Sequence, residues 1–150
     1  MNKNSFVHRL TKVLIDIMFF GGIICCAALP FIMSPLSEFL GYERDTVALN
    51  TIVLTLSGLC ALFILWQLKA MFRTLLGGDP FTPQNTSCFR RCAMAGFLIA
   101  LIYIVKIVLR FTVASAVIAV IFALLGLFSL TLKDVFKQAV AYKEENEWTV

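Results

Sequence analysis

The sequence predicts an all-α integral membrane protein with four transmembrane helices and both termini in the cytoplasm. Hydrophobic residues make up 60% of the chain and charged residues only 15%, with a mean hydropathy of +0.89. A soluble domain carries about half apolar and a quarter charged residues. The few charges are also clustered, which leaves four apolar blocks too long for a small water-soluble core. Finally, ten of the 13 Lys and Arg residues fall in the N-terminal segment, the 69–91 loop and the tail, against three in the two opposite turns. Such a bias places the basic segments inside.

Residues 1–12 contain Lys3, His8, Arg9 and Lys12, while Phe6, Val7, Leu10, Val13 and Leu14 recur at helical spacing. That pattern predicts an interfacial amphipathic segment leading into helix 1. Helix 1 is expected over about 13–33, with Pro30 bending its far end and Pro35 closing it. Its charge-free block, Ile17–Met33, exceeds the usual core of a cleaved signal, and Ile24 before Cys25-Cys26 is not the small residue a lipoprotein signal needs. The block therefore reads as a retained helix.

Helix 2 is expected over 46–68, a span of about 34 Å at 1.5 Å per residue, enough to cross a hydrocarbon core of about 30 Å. Trp66 falls at its inner end, where an indole favours the headgroup level. The helix should continue past Lys69 and Arg73 to a stop at Gly77-Gly78. Asp79-Pro80-Phe81-Thr82-Pro83 is turn chemistry, with Thr82 as N-cap and Pro83 at the first helical position of helix 3.

Helix 3 is expected to start there, to cross the membrane over 92–110, and to hand over to helix 4 at 112–132. No glycine or proline separates the two, yet one helix from Arg91 to Leu132 would be about 63 Å long, twice the bilayer core. A tight turn is required near Arg110–Ser115, capped by Thr112 or Ser115. The tail, 133–150, should prolong helix 4 for several turns before fraying at Glu144-Glu145-Asn146-Glu147. The whole chain, 1–150, reads as one membrane domain with a cytoplasmic loop at 69–91.

The composition also narrows function. There is no Ser-His-Asp set, phosphate-cradling glycine loop or HExxH helix, so a non-enzymatic protein without a cofactor is expected. Basic residues are not interleaved with aromatics on a sizeable soluble surface, which argues against direct nucleic-acid binding. The five cysteines give no disulfide framework. Cys88 and Cys92 share a helix face, but a structural zinc needs four ligands and the single histidine, His8, is far away in sequence.

Asp16 is the one acidic residue well inside an apolar helix and is a candidate ion contact. Its plainer reading is an interfacial ion pair with Lys12, four residues earlier. Lys106 and Arg110, also four apart, are candidate contacts for an anionic solute or for lipid phosphates; snorkelling is the plainer reading. Ala116, Ala119, Ala123 and Gly126 form a small-residue stripe, expected to be a packing seam or a homo-oligomer seam. Ser57-Gly58 and Ala61 on helix 2 are its expected partner. Trp148 near the C-terminus is either an interfacial anchor or, with Thr149 and Val150, a short strand for a partner's groove.

Two stretches are more distinctive than the topology. Gly77-Gly78-Asp79-Pro80-Phe81-Thr82-Pro83-Gln84-Asn85 resembles the glycine, Pro-Phe-Thr and Asn pattern of a bacterial membrane family catalogued as domain of unknown function 2975. The ending Lys143-Glu144-Glu145-Asn146-Glu147-Trp148-Thr149-Val150 resembles that family's acidic tail, with Trp148 standing where leucine is usual. The resemblance implies a bacterial cytoplasmic-membrane protein, often encoded beside a helix-turn-helix regulator, and it implies no activity. Pro80, Phe81 and Asn85 with Glu144, Glu145, Trp148 and Val150 are then the expected docking residues for a cytoplasmic partner such as that regulator. The alternative is a small oligomeric transporter or lipid- or solute-binding protein, motivated by Asp16, Lys106 and Arg110.

Overall fold

In a computed structural model the described residues are 3–148, with side chains from Phe6 onward. Four α-helices account for nearly all of them: α1 Lys3–Leu40, α2 Arg44–Leu76, α3 Pro83–Leu109 and α4 Val113–Trp148. Each is long and apolar enough to cross a membrane. At 1.5 Å per residue their lengths run from about 40 Å for α3 to about 57 Å for α1, so every helix outreaches a hydrocarbon core of about 30 Å.

The helices pack in chain order, α1 on α2, α2 on α3 and α3 on α4, and among the described residues no other pair meets. The contacts run antiparallel throughout. Asp16 faces Lys69 and Cys26 faces Gly58; Arg110 reaches Glu43 while Thr74 reaches Asn85; Phe89 faces Phe136 while Gly96 faces Gly126. The result is an open, alternating row rather than a closed bundle. One end carries the start of α1, the 77–82 loop and the end of α4. The opposite end carries the turns at 41–43 and 110–112.

The core lies along the middle of the row, where Val53 of α2, Ile99 and Tyr103 of α3 and Ala119 of α4 are buried together. α3, covered on two sides, contributes most of the buried residues, whereas Ile15 is the one buried apolar residue among those described in α1. The small-residue stripe of α4 is a seam within the chain, but its partner is α3 rather than Ser57, Gly58 and Ala61 of α2. A Cβ added at Gly96 would lie 3.4 Å from the Phe122 carbonyl oxygen and 3.5 Å from the Gly126 nitrogen. Missing side chains at this crossing are what let the backbones approach.

Several boundaries differ from expectation. Pro35 does not close α1, which passes through Pro30 and Pro35 to Leu40. Each proline removes one backbone donor, while uncoiling in a bilayer would strand several backbone groups, so the helix persists. The stop is Gly41 at φ +67°, with the Tyr42 N–H donating to the Ser37 carbonyl at 3.2 Å, a Schellman closure. The segment expected at the interface is the first part of α1, continuous with the membrane-spanning part of the same helix.

At the other hairpin the turn spans Arg110–Thr112. Thr112 is the junction residue, its carbonyl accepting the Ala116 N–H at 3.2 Å, whereas Ser115 is buried inside α4 and caps nothing. α4 does not fray at Glu144-Glu145-Asn146-Glu147 and stays helical to Trp148. Its last eleven residues hold Lys, Gln, Ala and Glu in plenty and neither Gly nor Pro, so helix propensity carries it. Thr149 and Val150, the tip of the expected docking tail, lie outside the described residues.

Candidate functional site

The loop between α2 and α3 is a built structure. α2 ends as the Gly77 N–H donates to the Arg73 carbonyl and the Gly78 N–H to that of Leu75, each at 3.2 Å. Gly78 then turns the chain at φ +96°, a region that disfavours any Cβ. Asp79 Oδ1 accepts the Phe81 N–H at 3.2 Å, an Asx turn that sets the direction of the phenyl ring. Thr82 caps α3 as expected, its hydroxyl oxygen accepting the Asn85 N–H at 3.3 Å with Pro83 at the first helical position.

Asn85, expected among the docking residues, closes this loop from within and is buried. It is 2% exposed, its Nδ2 donates to the Pro80 carbonyl at 2.6 Å, and its Oδ1 lies 2.9 Å from the Thr74 hydroxyl of α2. A buried amide whose oxygen and nitrogen both find partners within the chain fixes the shape of the loop.

Loop and tail form one surface. Lys143 of α4 makes an ion pair with Asp79. Phe136, two turns nearer the membrane blocks, sits between Phe81 and Phe89, with ring centroids 5.3 and 4.7 Å away in tilted geometry. Tilted aromatic pairs at such separations are favourable beyond their buried area. Phe81 remains 41% exposed against this cluster and Pro80 is half-buried. The last turns, with Glu144, Glu145 and Trp148 exposed, project beyond it, and Trp148 is 89% exposed. Sequence reasoning misses Asp79, Phe136 and Lys143, although Phe136 and Lys143 fall on the same half-buried stripe of α4 as Phe122 and Gly126.

The three ionisable candidates separate along the row. Asp16 does not pair with Lys12; its Oδ1 lies 2.8 Å from Lys69 Nζ of α2, whose ammonium also stands 5.7 and 5.6 Å from the Phe19 and Phe20 rings. The contact is a charge pair off the hydrogen-bonding direction, for the shielded Oδ1 meets no aligned donor. Lys12 is exposed. At the opposite end, Arg110 donates to Glu43 at 3.0 Å, tying the 110–112 turn to the start of α2, and Lys106 lies over the Tyr103 ring at 5.8 Å.

Cys88 and Cys92 are both buried on α3. Burial pushes the Cys88 thiol up from its ordinary pKa, against a smaller opposing pull from the Arg91 guanidinium, so it stays protonated at neutral pH.

A family model described as protein of unknown function (DUF2975) matches residues 17–150, which takes in the 77–85 loop and the acidic tail. The chain belongs to that family. No curated protein and no solved structure matches it. Membership in DUF2975 agrees with a multi-pass membrane protein of four apolar helices.

Proposed function

We propose that this DUF2975 member is a non-enzymatic, membrane-resident interaction protein with a regulatory task, seated in a bacterial cytoplasmic membrane with both termini inside. The bias of Lys and Arg toward the end with both termini supports the orientation. The first turns of α1, with Phe6, Val7, Leu10, Val13 and Leu14 exposed, then lie near the inner headgroups.

The observation that carries the reading is the union of loop and tail. Asn85, Asp79–Lys143 and the Phe81–Phe136–Phe89 cluster hold a half-exposed aromatic edge beside an exposed acidic helix end. A rigid aromatic anchor next to a charged rim is what a protein partner reads. The partner is a soluble cytoplasmic protein, of which a helix-turn-helix regulator is the leading candidate, and the chain itself makes no contact with nucleic acid.

The test is crosslinking of tagged protein in native membranes, followed by mass spectrometry, comparing the intact chain with one ending at Lys143. Recovery of a soluble DNA-binding protein by the intact chain alone, and its loss in Phe81→Ala, is expected. Equal recovery by both forms, or self-crosslinks only, overturns the reading.

A further inference from the structure

A second feature of the charged end lies outside the loop–tail surface. Between the start of α3 and the emerging part of α4 runs a groove of about 320 Å³, lined by Pro83, Thr86, Ser87, Arg90, Lys133, Lys137 and Val140. That volume is at the lower end of small-ligand sites. Its charge is one-sided. Among the described residues neither Arg90 nor Lys137 has an acidic partner, and Lys133 meets only its exposed neighbour Asp134 at 3.5 Å. The hydroxyl hydrogens of Thr86 and Ser87 go to the Thr82 and Pro83 carbonyls, so the three cations carry the groove's attraction.

Depth decides what an anion there would be. Lys133 is the first residue after the charge-free block that ends at Leu132, and Arg90 precedes the apolar run of α3 by a few residues. The antiparallel register that pairs Phe89 with Phe136 sets Arg90 and Lys133 at one level, where a lipid phosphate would sit. Below Arg90 on the same face of α3, Met94, Leu98 and Leu101 form an exposed apolar track for an acyl chain. Lys137, one turn further out, reaches past the phosphate to the rest of the headgroup.

We infer that the α3–α4 groove binds the phosphate of an anionic phospholipid headgroup through Arg90, Lys133 and Lys137. This goes beyond the proposed partner docking and uses none of its residues. The test is native mass spectrometry of the full chain in detergent, titrated in turn with phosphatidylglycerol, phosphatidylcholine and inorganic phosphate.

Wild type should retain one phosphatidylglycerol in preference to phosphatidylcholine. The R90Q/K133Q/K137Q variant should lose that preference, by on the order of fivefold per charge removed. The R90K/K133R/K137R variant should keep it, which separates loss of charge from loss of fold. Undiminished preference in the neutral variant overturns the site. Displacement of the lipid by inorganic phosphate at equal concentration overturns the lipid source, and loss of a soluble partner with lipid retention unchanged assigns the groove to protein docking instead.

Discussion

The two hairpins of this protein are closed in different ways. In α1–α2 the room made by glycine is filled by side-chain tips: a Cβ added at Gly22 would meet Leu62 Cδ2 at 2.8 Å, and one at Gly58 would meet Cys26 Sγ at 2.5 Å. In α3–α4 the Phe97 ring fills the space beside Gly126, 2.9 Å from an added Cβ, but the space beside Gly96 is filled by backbone, the Phe122 carbonyl and the Gly126 nitrogen. A tip can rotate away; a helix backbone moves only with its helix. The α3–α4 crossing is thus the fixed joint of the molecule. α1 and α4 each meet one neighbour, and α1, with a single buried residue among those described, is the more readily displaced.

The sharpest way to break that comparison is to fill the two crossings alike. Gly96→Leu should destabilise the fold by about 1–3 kcal/mol or more through overpacking, and Gly22→Leu by distinctly less, read as the midpoint of SDS unfolding. An equal or reversed ranking would show the hairpins to be equivalent.

Asn85→Ala comes next, since it removes the buried amide that ties the Pro80 carbonyl to the Thr74 hydroxyl, two hydrogen bonds worth about 1–3 kcal/mol together. Proteolysis within 77–82 should accelerate while the α1–α2 hairpin is unaffected. Lys69→Met leaves Asp16 without its cation, yet both side chains are about one-third exposed, so a loss of about 1 kcal/mol or less is expected. The double change with Asp16→Asn should recover most of it, a coupling that a double-mutant cycle measures. Smallest is Lys143→Gln, about 0–1 kcal/mol for a partly exposed pair, visible chiefly as faster amide exchange across 77–82.

The four helices are legible in the sequence because long charge-free blocks have few soluble explanations, and Thr82-Pro83 announces the start of α3. The end of α1 is not, since the proline rule is learned from helices that water can re-solvate when they open. The candidate site is half legible. Phe81 and the acidic tail stand out, but Asn85 reads as a surface residue because its role depends on Pro80 and Thr74, five and eleven positions away. Asp16 points to Lys12 in the sequence because spacing within one helix is visible there and the approach of α2 is not.

The unbroken run of α4 from Val113 to Trp148 has a mechanical meaning. About sixteen residues extend past Leu132 without a hinge, a rod of about 24 Å. Fixed to α3 at Gly126 and again at Phe136, it moves with α3 as one lever whose fulcrum lies within the bilayer. A thinner membrane tilts such a helix, and ten degrees of tilt about Gly126, about 33 Å from the far end, sweeps Trp148 sideways by roughly 6 Å. Bilayer thickness is in this way converted into displacement at the surface a partner would touch.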